Sequence, residues 1–309
     1  MSLYNRELKF AIDMVRNAAL ITQWFRKKGV QSLSFKKDDQ SPVTIADFAS
    51  QLYLVSQIRE FFQDDQIIAE EENTEFIDLK AENMIKQCFE EIDIDKIDNY
   101  KGNIKYKGKS SERQWTIDPI DGTMGYQKGL YYAIGLGFMI NSIPKVCAIA
   151  VPDYNNYPLA IFAAEEGQGS RISYNNKNFN PIRVNQNENI NNIRLCHSLH
   201  YDQPWVLDFA KKIGIKNYIQ IDSMAKFCMV ADGTADLYIK PLDPNKSFSW
   251  DFMPGDLLVR EAGGRVTDLN GERLKFSERK CLWTKPGIIA SNGIFQKKIL
   301  ELIKENLSN

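Results

Sequence analysis

The chain has 309 residues, 43% hydrophobic and 26% charged, enough for one large core or two and unlike a disordered or low-complexity segment. Its 39 Lys and Arg against 40 Asp and Glu give a formal net charge of −1, which excludes a general field for nucleic acid or an anionic membrane, so an anionic ligand has to be recognised locally. Cys88, Cys147, Cys196, Cys228 and Cys281 are dispersed, with no Cys-x-x-Cys pair to suggest zinc or a disulfide framework, and Met1 to Phe10 is too charged for a secretion signal; the expectation is a cytoplasmic protein with no membrane-crossing segment.

Leu8, Ile12, Val15, Ala19 and Trp24 recur at helical spacing and predict a helix over Tyr4 to Lys28, stopped at Gly29. A second helix is expected from Thr44 to Phe62. Its apolar stripe is Ile45, Phe48, Leu52, Val55 and Phe62, Thr44 caps it, and Asp47 falls in its first turn at the edge of the stripe. Gln66 to Ala69 reads as a strand that empties into Glu70-Glu71-Glu72, and Leu79 to Glu91 as a helix. Lys101 to Arg113 is lysine-rich without a periodic apolar face and reads as a solvated loop rather than a lid.

Trp115 to Ile117 predicts a strand that ends at Asp118, because Pro119 cannot donate to a ladder and Gly122 permits a tight turn. Gly122 and Thr123 then open a helix, so that backbone N–H groups and one hydroxyl face the same space as Asp118 and Asp121. Alone, such a corner suits either a hard cation or ordinary turn chemistry. Beyond it, Tyr132 to Ile140, Val146 to Val151, Leu159 to Ala164 and Arg171 to Tyr174 predict an antiparallel meander.

The asparagine-rich run Asn185 to Asn192 is the expected boundary between an α+β part over 1–187 and an α/β part over 188–309. In the second part strands Ile193 to Cys196, Tyr218 to Ile221 and Asp236 to Ile239 alternate with helices Trp205 to Ile213, Met224 to Ala231 and Phe252 to Ala262. Strands Arg265 to Thr267 and Ile288 to Ala290 and a helix Phe295 to Leu307 close the chain.

Four fragments in register carry a resemblance: Asp47 in Ser41-Pro42-Val43-Thr44-Ile45-Ala46-Asp47, Glu70-Glu71 after a strand, Asp118-Pro119-Ile120-Asp121-Gly122-Thr123, and Trp250-Asp251 followed by Glu261-Ala262-Gly263-Gly264. From about Ala11 to Asn292 the chain resembles the magnesium-dependent, lithium-sensitive phosphatase superfamily of inositol monophosphatases, fructose bisphosphatases and 3′(2′),5′-bisphosphate nucleotidases. The resemblance implies a layered αβαβα sandwich of the sugar-phosphatase kind. It also implies Glu70, Asp118, Asp121, Asp251 and the Ile120 carbonyl as ligands for about two or three Mg²⁺ ions, since Mg²⁺ takes about six oxygens. Asp47 and Thr123 would take the proton of the attacking water, and Gly122 and Thr123 would meet the phosphate.

Cys196-His197-Ser198-Leu199-His200, Asp222-Ser223-Met224-Ala225-Lys226 and Tyr238-Ile239-Lys240 are similar to the bisphosphate nucleotidase branch. In that branch His197 and Ser223 would contact the adenosine part while Lys226 holds a 5′-phosphate; Lys240, where many members carry arginine, is counted among the substrate-binding residues. The expectation is therefore a monomeric or homodimeric enzyme acting on a small nucleotide bisphosphate, adenosine 3′,5′-bisphosphate or its 5′-phosphosulfate analogue, with no nucleic-acid or membrane partner. An inositol phosphate phosphatase and a nucleotide sensor without turnover are the alternatives. A serine hydrolase built on His197 would need a Gly-x-Ser-x-Gly elbow, which the sequence lacks.

Overall fold

The structure, a computed structural model, describes residues 2–38, 40–175, 177–200, 204–243 and 247–307. The helix expected at the start forms as α1 (Asn5–Lys27). A short hairpin follows, β1 (Ser34–Lys36) with β2 (Pro42–Thr44), antiparallel. It leads into α2 (Ile45–Phe61), capped by Thr44 as expected. The expected one-sided stripe is not what α2 shows. Asp47, Ser50 and Gln51 are buried as fully as Phe48 and Leu52, because Ser50 donates to the Pro119 carbonyl at 3.0 Å and Gln51 to those of Glu71 and Ile104. Buried polar groups on this side are satisfied by backbone.

Next come β3 (Gln66–Ala69), α3 (Leu79–Glu91) and α4 (Tyr100–Ile104). Only the start of the lysine-rich run, where α4 buries Ile104, departs from the expected solvated loop; Lys107 and Lys109 remain exposed and pair with Glu72 and Asp64 at the surface. The central strand β4 (Arg113–Asp121) runs past the predicted stop at Asp118. The register against the next strand slips between Asp118 and Asp121, so Pro119 sits in a bulge where no ladder donor is needed. After α5 (Thr123–Gln127) the meander continues as β5 (Ala133–Ile140), β6 (Ile143–Pro152), β7 (Leu159–Glu165), β8 (Gly169–Tyr174) and β9 (Asn180–Ile182). With β3 parallel to β4 and the remaining pairs antiparallel, β3 to β9 form a seven-stranded sheet in sequence order.

The remaining chain contributes β10 (Arg194–His197), α6 (Pro204–Lys212), β11 (Asn217–Gln220), α7 (Ala225–Ala231), β12 (Leu237–Lys240), α8 (Ser249–Glu261), β13 (Arg265–Thr267), the hairpin β14 (Lys275–Ser277) and β15 (Lys280–Leu282), β16 (Ile288–Ser291) and α9 (Gln296–Leu307). A five-stranded mixed sheet has the order β11-β10-β12-β16-β13. One apolar cluster fills the space between α1, α2 and the first sheet. A second joins the other face of that sheet to α7, α8 and the second sheet. A third lies between the second sheet, α6 and α9. The layers thus alternate helix, sheet, helix, sheet, helix. Among the described residues no helix is long and apolar enough to cross a membrane.

Candidate active site

β4 and α8 aim acids at one another across the middle layer. The bulge ending β4 lets Asp118 and Asp121 both turn to this side. α8 begins at Ser249, three residues earlier than expected, because Asp251 Oδ2 accepts from the Phe248 N–H at 3.3 Å and satisfies the helix start from its third position. Carboxylate oxygens of Asp118, Asp121 and Asp251 consequently lie within 4.8 Å of one another. They line a cavity of about 500 Å³ together with Glu70, Ile120, Gly122, Thr123, Ser223, Lys226 and Lys240.

Electrostatics mark this cluster as incomplete by itself. Desolvation first, then repulsion from Glu70, Asp121 and neighbouring acids, push Asp118 well above the ordinary carboxylate range, and desolvation with Asp121 and Glu70 does the same to Asp251. Asp121 rises to about 6 by desolvation, restrained by Lys226, Lys240 and the Met224 N–H that it accepts. Asp118 Oδ1 is buried and accepts no hydrogen bond among the described residues. Converging acceptor oxygens, one of them orphaned, fit a hard divalent cation such as Mg²⁺.

Asp47 does not line the cavity; it stands behind Thr123. Its Oδ2 accepts from the Thr44 N–H at 2.8 Å, and its Oδ1 from the Thr123 hydroxyl at 3.3 Å. That hydroxyl also lies 3.1 Å from the Ile120 carbonyl. Burial lifts the Asp47 carboxyl to about 7, with the Thr44 bond opposing and Glu70 adding to the rise. Gly122, at φ +88°, starts α5, and a Cβ there would sit 3.1 Å from Ser223 Cβ, so glycine permits the two halves of the chain to meet.

From the first turn of α7 Lys226 enters buried, its ammonium donating to the Ile221 carbonyl at 3.3 Å. Desolvation and then Lys240 lower it to about 8, although Asp121 and Asp222 pull the other way. His197, expected against the adenosine, is buried with its ring edge to face on Tyr218 and is not among the residues lining the cavity. Ser198, next to it, does line it.

Sequence reasoning passed over Lys37 and Asp222. Lys37 Nζ lies 2.7 Å from Glu70 and 2.7 Å from Glu71; burial works against its charge, but the two acids outweigh burial and raise its pKa. Its only sequence signal was a polar stretch between two short apolar runs. Asp222 lines the cavity and accepts from the Leu199 N–H at 2.8 Å and from His200 Nδ1; burial opposes its charge, yet His200 and Lys226 keep it below the ordinary range. It adjoined Ser223 in a motif already singled out.

The profile of the inositol monophosphatase family matches residues 4–308. The chain is 31% identical to 3′,5′-bisphosphate nucleotidase 2 of Arabidopsis thaliana, covering 98% of this chain and 97% of that one. It is 32% identical to a 3′(2′),5′-bisphosphate nucleotidase of Schizosaccharomyces pombe, covering 96% and 94%. Among solved structures it is similar to an IMPase of Thermotoga maritima, with a TM-score of 0.70 at 22% identity over 98% of both chains. An inositol monophosphatase of Anabaena gives 0.66 at 22% identity over 97% of this chain and 96% of that one. These two likenesses speak for the fold.

Proposed function

The chain belongs to the inositol monophosphatase family, and from that membership we propose that it is an Mg²⁺-dependent phosphomonoesterase that removes the 3′-phosphate of adenosine 3′,5′-bisphosphate, giving AMP and phosphate. The observation that carries the reading is that one cavity is lined both by the Asp118, Asp121 and Asp251 cluster and by Lys226 and Lys240. Clustered acids suit the cations that accompany a reacting phosphate, and paired lysines suit a second phosphate. The names of the curated relatives support the same substrate.

Asp118, Asp121 and Asp251, joined by Glu70 and the Ile120 carbonyl, would hold the cations, about two or three of them. Bound there, Mg²⁺ supplies Lewis acidity and neutralises charge on the transferred phosphoryl group. The chain itself handles the proton. The Thr123 hydroxyl donates to Asp47 Oδ1 and leaves its lone pairs to accept a hydrogen bond from the attacking water. As that water's oxygen bonds to phosphorus, its proton moves to the Thr123 oxygen while the threonine's own proton moves to Asp47, whose raised pKa suits the task near neutrality. The phosphorus–O3′ bond breaks, and the ribose oxygen leaves as a hydroxyl with a proton from solvent. Gly122 and Ser223 would face the substrate between the acids and the lysines.

The test is phosphate release from adenosine 3′,5′-bisphosphate, its 5′-phosphosulfate analogue, 3′-AMP and inositol monophosphate, each with and without Mg²⁺ and Li⁺. Magnesium-dependent, lithium-sensitive release with the bisphosphate preferred is expected. Preference for inositol monophosphate overturns the substrate assignment, and release that survives a chelator overturns the metal dependence.

A further inference from the structure

One turn past Asp251 on α8, Gly255 leaves room for an aromatic ring. A Cβ at that position would fall 2.9 Å from Phe227 Cβ and closer still to the ring itself. Phe227 meets Tyr238 edge to face, with centroids 5.2 Å apart and planes at 89°. The face of Tyr238 carries the Lys226 ammonium, whose Nζ lies 5.3 Å from the ring centroid. Tyr238 cannot drift, because β12 is held between β10 and β16, with Tyr238 opposite Cys196 on one side and Ala290 on the other. A continuous line of packing therefore runs from the helix that bears Asp251 to the ammonium of Lys226. Of the three donors on that ammonium, the Ile221 carbonyl takes one.

We propose that Tyr238, seated by Phe227 on Gly255, is a positioning and specificity-determining residue: it fixes Lys226 at a set offset from the Asp251 carboxylate and so selects esters that carry a second phosphate at the matching distance. The proposal rests on the activity proposed above. A lysine stem is flexible and its ammonium a point charge, so selection by distance needs something other than the lysine to define its place. A face-on ring in a central strand supplies that, and a core residue without this role would affect every substrate alike.

The experiment compares kcat and KM of the full chain for adenosine 3′,5′-bisphosphate and for 3′-AMP, which lacks the second phosphate. Tyr238→Leu is expected to raise the KM ratio of bisphosphate to 3′-AMP about tenfold, the loss of a desolvated cation–π contact, with kcat moving less. Tyr238→Phe keeps the ring face and should restore the parent ratio. Equal rises in KM for both substrates, an unchanged ratio, or failure of phenylalanine to restore it overturns the proposal. Should Tyr238→Leu not fold, Phe227→Leu, which leaves Tyr238 in place without its edge contact, carries the same expectation and the same refutation. A parent enzyme that does not distinguish the two substrates would sink the proposed activity instead. A parent that prefers the bisphosphate, with a leucine variant that prefers it equally, would sink only this inference.

Discussion

The hydroxyl of Thr123 sits 3.3 Å from Asp47 Oδ1, joining the start of α5 to the first turn of α2. Since Thr44 occupies the other carboxylate oxygen, Asp47 is held with Oδ1 toward Thr123. Asp47→Asn should keep the helix cap and lower kcat by about 10²–10⁴-fold. In the parent, kcat/KM should fall on the acid side at or below about 7 as Asp47 takes up a proton, bound cations moving the limb downward. The variant should lack this limb; an unchanged pH–rate profile would remove Asp47 from proton transfer.

Asp121→Asn should abolish both phosphate release and magnesium binding measured by calorimetry, while its thermal melt stays cooperative. The carboxylate lies in the three-acid cluster, and an asparagine oxygen can still accept the Met224 N–H. Magnesium affinity equal to that of the parent would take Asp121 out of the ligand set.

Stability without metal should depend on pH in an unusual direction. Asp47, Asp118, Asp121 and Asp251 all have folded-state pKa values above those of an unfolded chain. The folded state therefore binds more protons, and stability falls as pH rises from about 4 through about 7. Melts in a chelator should show a lower Tm at neutral pH than near pH 5. Adding Mg²⁺ should raise Tm, and more so at the higher pH, where the acids are charged. A Tm that rises steadily across this window in the chelator would contradict the electrostatic picture of the cluster.

Lys226 is pulled down to about 8, chiefly by burial and then by Lys240. It should lose its charge as pH rises through that value, so kcat/KM for the bisphosphate should decline there while that for 3′-AMP declines less. Lys226→Ala should raise KM for the bisphosphate about tenfold or more and erase the difference between the two pH profiles. Parallel profiles in the parent would argue that Lys226 does not meet the second phosphate.

Regular elements were legible where periodicity had room to show. The spacing of Leu8, Ile12 and Val15 predicts α1, and short apolar runs parted by turn residues predict the meander of β5 to β8. The three-residue strands β1, β2, β9, β14 and β15 are too short to carry a period and were missed, whereas β13, equally short, was read at its observed bounds. Pro119 misled in a definite way: a proline does bar a ladder bond, but β4 absorbs it in a bulge rather than stopping. On α2 the apolar stripe was readable, but the burial of Ser50 and Gln51 beside it was not, because the carbonyls that satisfy them are remote in sequence. At the site, Glu70, Asp118, Asp121, Ser223, Lys226 and Lys240, singled out from motifs in the sequence, line one cavity, whereas His197 and Asp47, singled out in the same way, do not. Lys37, which reaches Glu70 and Glu71 through the β1–β2 hairpin, could not be singled out, because nothing local to Lys37 reports a contact made so far along the chain.

α8 serves both sheets as a common wall. Met253, Leu257 and Leu258 pack in one cluster with Ile149 and Phe162 of the first sheet and with Tyr238 and Ile288 of the second. Severing the polypeptide in the Asn185 to Asn192 run would thus leave the amino-terminal fragment with a bare apolar flank and the carboxy-terminal fragment with an unclothed helix. Each piece would be sticky alone, and the pair could regain solubility only by reassembling, a property suited to split-protein complementation.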